Sequence, residues 1–238
     1  MAPKLDGVEV LRIVLPGDEV LQFNPDEQCI FIGPGLRWQE NVICATRSGV
    51  LKKTSKNLYY VDTRQKRYIP HKKEFVVGTV QKKMGNNYII DIGGSEQATI
   101  SDLVFENFSK KTGKKMKPGD LIFGQLLVAN KDMEPELVCI DVFNSSVGIG
   151  SLPDGGIVFT LPLHVARLIA NPQNSLLLII ARRLKYTILV GFNGRVWLKA
   201  RRQREMVAIM NCLKMLEVMT LEEVEANVHR FLDSLLLH

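Results

Sequence analysis

A run of lysines is the clearest candidate for chemistry in this chain. Segment 109–120 places five lysines within eight residues and ends in Pro-Gly-Asp, which is typical of a turn before a β-strand. Lysine side chains on a loop can bind the phosphates of a nucleic-acid backbone, and each contact adds to a salt-dependent affinity. The pattern therefore predicts a phosphate-binding loop made by Lys110, Lys111, Lys114, Lys115 and Lys117.

A second candidate for the same chemistry consists of Lys82, Lys83 and Tyr88. The two lysines could contact the same backbone. Tyr88 is the only aromatic residue of the run 87–92, and a strand aromatic on an open face can stack on a base, which contributes about 1–3 kcal/mol. The alternative is that this ring packs in the protein interior, and the pattern fits both positions equally well.

The Gly-Phe-Asn-Gly motif at residues 191–194 matches the GXXG loop with which KH domains clamp a nucleic-acid backbone. A clamping loop joins two helices, whereas the runs on both sides of this motif are β-like. Asn-Gly between strand-like runs is a strong hairpin signal, because both residues tolerate positive φ. We therefore predict a structural motif, a turn with a packing anchor in the strand that follows. Its residues are Gly191, Asn193, Gly194 and Trp197.

Candidates for catalysis and metal binding are few. The four histidines are isolated, and no Gly-rich phosphate loop, GxSxG or HExxH motif occurs. The four cysteines form no CxxC pair and lie in apolar runs, so we expect buried thiols in a reducing compartment. The carboxylates are spaced singly, whereas a two-metal nuclease needs several that converge on ions about 4 Å apart. We predict no catalytic residue, no metal site and no cofactor.

The composition favours an anionic partner. The 238 residues include 31 basic and 25 acidic side chains, which gives a net charge of +6. The basic residues cluster at 52–73, 110–117 and 195–204. This clustering is stronger evidence for a nucleic-acid partner than the total charge is. The apolar run 176–180 is too short to cross a bilayer, so we expect no membrane partner.

Short strands are the elements that must position the lysines. Turn residues separate five strand-like runs, at 74–81, 87–92, 96–100, 120–128 and 136–141. Five strands in about seventy residues is the size of a closed barrel of the oligonucleotide-binding (OB) class. The lysine loop then immediately precedes the fourth strand of this barrel.

The pattern predicts a mainly β chain with an α+β C-terminal part. It divides into an N-terminal β module (residues 1–70), the barrel (71–143) and a C-terminal domain (144–238). We expect the first twelve residues to be frayed. In the C-terminal domain we predict a helix over 161–170, then strands that include 176–180, then two closing helices.

The barrel segment resembles an S1 domain. This resemblance rests on residues 75–80 (FVVGTV), 88–93 (YIIDIG), 100–103 (ISDL) and the Pro-Gly-Asp turn, although Thr99 stands where many S1 domains carry His. With the β module and the sequence GFNGRVWLKA near the end, the chain resembles the S1/KH cap subunits of the RNA exosome. It is most similar to the exosome component 3 family, which is called ribosomal RNA-processing protein 40 in fungi.

This resemblance implies an S1 barrel of OB type, a KH-like C-terminal domain and no catalysis. Cap subunits of that family sit with other cap subunits on a ring of RNase PH-like subunits. They help to guide single-stranded RNA into a central channel, towards separate 3′→5′ exoribonucleases. The expected location is the nucleus, including the nucleolus, and the cytoplasm. Three alternatives stay open: the other S1/KH cap subunit, a free-standing S1-type RNA-binding factor, and a nuclease in its own right.

Overall fold

The computed structural model describes residues 8–22, 30–54, 57–101, 116–130, 133–139, 149–171 and 174–236. Its elements are mainly strands, followed by an α+β C-terminal part, which confirms the predicted fold class. The chain divides into two compact units, Met1–Gln65 and Lys66–His238.

Seven short strands form the first unit. They are β1 (Val8–Val14), β2 (Glu19–Gln22), β3 (Phe31–Ile32), β4 (Leu36–Gln39), β5 (Val42–Ala45), β6 (Gly49–Thr54) and β7 (Leu58–Asp62). One sheet has the order β1-β6-β7-β3, and the other has the order β2-β5-β4. The prediction of a frayed start is wrong for residues 8–12, because β1 pairs with β6 from Val8 onward. Its partner is about forty residues away, so a local pattern does not show the pairing.

A closed five-stranded barrel opens the second unit. Its strands are β8 (Phe75–Met84), β9 (Asn87–Asp91), β10 (Ala98–Ser101), β11 (Leu121–Val128) and β12 (Glu136–Val138). The order β8-β9-β10-β12-β11 returns to β8, and only β10 and β12 pair in parallel. A short strand β13 (Gly150–Ser151) also pairs with β11. The interior contains apolar side chains from alternate positions, including Val76, Val80, Tyr88, Ile90, Ile100, Ile122, Leu126 and Leu137.

Each Pro-Gly-Asp sequence forms the same turn before a strand. The glycine of both turns has a φ of +95°. The carboxylate of each turn accepts a hydrogen bond from a backbone N–H three residues earlier. Asp18 accepts from Leu15 at 2.8 Å, and Asp120 accepts from Lys117 at 2.7 Å. These bonds fix where β2 and β11 begin.

The rest of the second unit combines a three-stranded sheet with four helices. The sheet has the order β14 (Ile157–Thr160), β16 (Arg195–Ala200), β15 (Tyr186–Val190). The helices are α1 (Leu163–Ala170), α2 (Ser175–Ala181), α3 (Gln203–Met215) and α4 (Leu221–Leu236). One face of the sheet packs on the helices, and the other presents Trp197 and Leu189 to the barrel. None of the described helices is both long and apolar enough to cross a membrane.

The prediction of a strand over 176–180 is wrong, because these residues lie in α2. A short apolar run is compatible with a buried helix as well as with a strand. The side chain of Asn174 begins the helix, since its Oδ1 accepts a hydrogen bond from Leu176 N at 2.9 Å. Leu176 and Ile180 then lie one turn apart and are both fully buried.

Candidate nucleic-acid interface

The lysine loop is only partly described by the structure. Lys110, Lys111, Lys114 and Lys115 lie outside the described residues. The end of the loop is described, and it is anchored on the barrel. Met116 is buried in the barrel core, and Lys117 is exposed beside it. The lysine loop therefore joins the barrel where β11 begins.

The β8–β9 hairpin carries the second pair of lysines to the same end of the barrel. The backbone of Val80 bonds to Gly119 and Asp120, at 2.8 Å and 2.9 Å, so the end of β8 adjoins the turn that closes the lysine loop. Lys82 and Lys83 lie two and three residues after Val80 and are exposed. Lysines that are 35 residues apart in the sequence thus form one positively charged rim, with Lys117 as its described link to the lysine loop.

The ring of Tyr88 faces the barrel interior. It is only 4% exposed and packs with Val80 and Ile90 in the barrel core. The ammonium of Lys83 lies 5.0 Å from the centre of the ring, which is the geometry of a cation–π contact. In this structure the ring therefore presents no open face to a base, and the charge at this end of the barrel comes from the lysines.

The Gly-Phe-Asn-Gly turn joins β15 to β16 and is buried against the barrel. Asn193 is 8% exposed, and its Nδ2 donates hydrogen bonds to Val77 O and Ile92 O, both at 2.8 Å. Its Oδ1 accepts a weaker bond from Val77 N at 3.3 Å. The backbone N–H of Phe192 donates to Phe75 O at 2.8 Å. The turn therefore satisfies backbone groups of the barrel, at the position where a KH clamp would meet a nucleic acid.

An ion pair made by Arg195, the residue directly after this turn, also joins the KH-like domain to the barrel. The guanidinium of Arg195 donates to the carboxylate and to the backbone carbonyl of Asp91, each at 2.7 Å. The other carboxylate oxygen of Asp91 accepts from Gly93 N at 2.8 Å. Burial raises the pKa of Asp91. The hydrogen bonds from Arg195 and Gly93, together with the charge of Arg195, lower this pKa by more than burial raises it. The pKa of Asp91 therefore lies below its ordinary value.

Trp197 completes the junction between the sheet and the barrel. The indole is 1% exposed and packs with Val77, Phe123 and Leu152. Its Nε1–H has no acceptor among the described residues. A buried N–H without a partner costs about 1–3 kcal/mol, so the large apolar contact of the ring must outweigh that loss.

The contacts of this junction were not evident in the sequence. The bonds from Asn193 and Arg195 join residues that are more than 100 positions apart. The only signal was local: an Asn-Gly pair between two strand-like runs, with Arg195 directly after it. It predicts a turn, but it does not indicate which backbone the amide meets.

The His, Cys, Asp and Glu side chains of the described residues are not gathered into a metal site. No three of these side chains are arranged to hold a metal ion. Burial raises the pKa of the Cys139 thiol to about 12 and that of Cys212 to about 11, so neither is a ready nucleophile. Burial and the hydrogen bond to Glu74 also raise the pKa of Tyr68.

An OB-type barrel with a basic rim, joined to a KH-like domain, defines an S1/KH protein of the nucleic-acid-binding class. Three family models match this chain in order. They are the exosome complex exonuclease Rrp40 N-terminal domain at residues 30–67, the S1 domain of exosome complex component RRP40 at 68–150, and the KH domain at 156–204. The chain belongs to the RRP40 family of exosome complex components.

Individual relatives support this assignment. Exosome complex component RRP40 of Drosophila melanogaster is 37% identical, over 90% of this chain and 92% of that protein. The protein of the same name from Mus musculus is 36% identical, over 86% of this chain and 77% of that protein. A crystal structure assigned as an exosome complex RNA-binding protein has a TM-score of 0.56 and 19% identity, and covers 69% of this chain and 97% of that one. At that identity the crystal structure supports the fold alone.

Proposed function

We propose that this protein is a non-catalytic cap subunit of the RNA exosome, which holds single-stranded RNA at the entrance of the complex. The observation that carries the proposal is the basic rim of the barrel. There the turn that follows Lys117 bonds to Val80, two residues before Lys82. Side chains on such a rim would neutralise phosphates along a strand without selecting bases.

The rim suits a guide for RNA better than a sequence-specific reader. Its side chains are lysines, which act as mobile point charges and bind phosphate without a fixed geometry. The aromatic ring nearest to them, Tyr88, is buried. Weak contacts of this kind would let a strand slide towards exoribonuclease subunits that carry out the 3′→5′ chemistry.

The N-terminal module supplies a candidate surface for the other subunits. Along β1 and the turn that follows it, Leu11, Ile13 and Leu15 are 42%, 78% and 60% exposed. Phe31 in β3 is 61% exposed. Large apolar side chains that are exposed in a row are typical of protein–protein interfaces. We assign this surface to a RNase PH-like ring subunit or to another cap subunit, with the protein acting in the nucleus, including the nucleolus, and in the cytoplasm.

A quadruple alanine variant of the lysine loop tests the proposal. Replacing Lys110, Lys111, Lys114 and Lys115 by Ala should weaken RNA binding by the assembled complex. The log–log salt slope should become less steep by roughly 0.7 for each phosphate that is no longer neutralised, because fewer counterions are released. Binding is measured with a labelled single strand at several salt concentrations. Sequence preference should stay unchanged.

A matched variant separates charge from shape in this test. Replacing the same four residues by Arg keeps the charge and should leave the salt slope as it was. Assembly of the complex should be unaffected in both variants. If the alanine variant shows unaltered affinity and slope, the lysine loop is only a solvated surface and the proposed RNA path is wrong.

A further inference from the structure

A second positive surface lies on the KH-like domain, away from the barrel. Between Gly155 and Arg204 the sequence contains nine basic residues and no Asp or Glu. Of these, Arg195 pairs with Asp91, and Lys199 donates to Asp154 O. Six others gather at one end of the sheet, which we call the KH basic end. They are Arg182, Arg183, Lys185, Arg201, Arg202 and Arg204.

The pairing of β15 with β16 brings the two halves of this surface together. The outermost pair of that ladder joins Tyr186 to Ala200. Lys185 and Arg201 are the next residues outward, so their Cα atoms lie about 5 Å apart if the ladder spacing continues. Arg182 caps the C-terminus of α2 and Arg204 lies in the first turn of α3, so both flank this pair. All six side chains are exposed.

The KH basic end lies opposite the buried turn of the same hairpin. The ladder runs over five pairs, from Tyr186 and Ala200 to Val190 and Val196, and so spans about 13 Å. At the far end Asn193 bonds to the barrel. The end at which a KH domain would clamp nucleic acid is thus occupied within the protein. The exposed end carries the charge.

Two carboxylates of the KH-like domain already accept hydrogen bonds, and one of them, that of Glu205, lies at the KH basic end itself. Glu205 accepts a hydrogen bond from the backbone N–H of Arg202 at 3.3 Å, which caps α3. Glu225 bonds to Ser175 at the other end of α2. Arg182, Lys185, Arg201 and Arg204 form no ion pair with the described residues.

We propose that the KH basic end is a second phosphate-binding surface for RNA, independent of the lysine loop and of the Gly-Phe-Asn-Gly turn. The inference rests on the proposed function, because it assigns this surface to the same strand of RNA or to a flanking part of it. Five of the six residues are arginines, whose planar guanidinium matches the oxygens of a phosphate. None is aromatic, whereas the centre of a protein interface is enriched in aromatic anchors. The surface therefore fits an RNA backbone better than an acidic protein.

A pair of substitutions tests this surface in the assembled complex. Arg201→Gln with Arg204→Gln should weaken binding of a labelled oligouridylate about tenfold near 0.1 M salt. The log–log salt slope should become less steep by about 1.4, because two phosphates are no longer neutralised. The matched control is Lys214→Gln with Arg230→Gln. Lys214 is exposed on the same helix as Arg204, and ten residues place it about 15 Å further along. The control should bind RNA like the unaltered complex.

The outcomes separate this inference from the proposed function. If Arg201→Gln with Arg204→Gln binds normally while the alanine variant of the lysine loop binds weakly, the second surface is wrong and the proposed function stands. If the test and control variants lose equal RNA affinity, the loss is a general effect of charge and the second surface is wrong. The second surface is also wrong if the test variant keeps its RNA affinity and loses only the capture of an acidic protein partner. If the unaltered complex binds no RNA, both proposals fail.

Because the substituted side chains are exposed, the urea midpoint should stay unchanged in both variants. An unchanged midpoint excludes unfolding as the cause of weaker RNA binding.

Discussion

Asn193 is the residue on which the junction between the barrel and the KH-like domain most depends. Its amide satisfies the carbonyls of Val77 and Ile92 and the N–H of Val77, all in a buried position. A hydrogen bond contributes about 1 kcal/mol net, but a buried backbone group left without its partner costs about 1–3 kcal/mol. The three bonds therefore make this position intolerant of smaller or apolar side chains.

Asp91 gives the junction a defined dependence on pH. Its folded pKa lies below the ordinary value, so its contribution to stability is complete above the unfolded pKa of about 3.9 and is lost as the pH falls through the folded pKa. Asp91→Asn should therefore be less stable than the unaltered protein at pH 6. Because protonation removes the ion pair from the unaltered protein, this difference should shrink below about pH 4. Urea midpoints at pH 6 and pH 3 measure it.

A double substitution checks that Arg195 is the cause. In an Arg195→Gln background, Asp91→Asn should cost less than it does alone, since the partner of the ion pair is already missing. A stability difference that stays constant from pH 6 to pH 3 would contradict the assignment of this pH dependence to Asp91.

At the scale of elements, the β15–β16 hairpin is fixed at its turn and exposed at its open end. Gly194 has a φ of +80°. A Cβ at this position would lie 2.5 Å from the carbonyl oxygen of Leu161, which is backbone and cannot move aside easily. The turn thus requires glycine for two reasons, its conformation and the close approach of the chain before α1.

Gly194→Ala should destabilise the second unit by clearly more than about 1 kcal/mol, the typical cost of positive φ alone. Gly155→Ala is the matched control, because Gly155 has a φ of +87° and its Cβ would meet only the end of the Lys199 side chain at 4.0 Å. The difference between the two variants in denaturant midpoint reports the clash with Leu161. RNA affinity of the folded fraction should barely change. Intact stability with lost RNA binding would instead indicate a KH clamp at this turn.

At the scale of the whole molecule, the described surfaces offer charge and apolar contact rather than a catalytic centre. The second unit carries the basic rim of the barrel and the KH basic end, and the first unit carries the exposed apolar side chains of β1. Such a distribution suits the proposed binding of RNA and of protein partners.

The purified chain should accordingly not degrade RNA, with or without Mg²⁺. Its histidines are isolated in the sequence, and the described carboxylates form no metal-holding group. The assay follows a labelled single strand over time on a denaturing gel. Metal-dependent trimming that survives repurification and is abolished by a single Asp or Glu substitution would show that the protein is a nuclease.

Elements with local signals could be predicted from the amino-acid pattern alone. Alternating apolar residues with turns between them predicted the strands of the barrel, because a strand shows its buried face at every second position. The capping box at the start of α4 is local in the same way: Thr220 N–H donates to the Glu223 carboxylate at 3.0 Å, and Glu223 N–H donates to the Thr220 hydroxyl at 3.4 Å. The Asn-Gly sequence marked a turn, and the turn lies there.

What those elements contact depends on the tertiary structure. It placed Tyr88 inside the barrel, made a helix of residues 176–180 and joined Asn193 to backbone groups more than 100 positions away. It also paired Tyr186 with Ala200, which brings the two halves of the KH basic end together. The physical reason is that each of these results depends on which distant segment removes a side chain from water or satisfies its hydrogen bonds. A pattern within ten or twenty residues records that a face is apolar or charged, but not the identity of its partner.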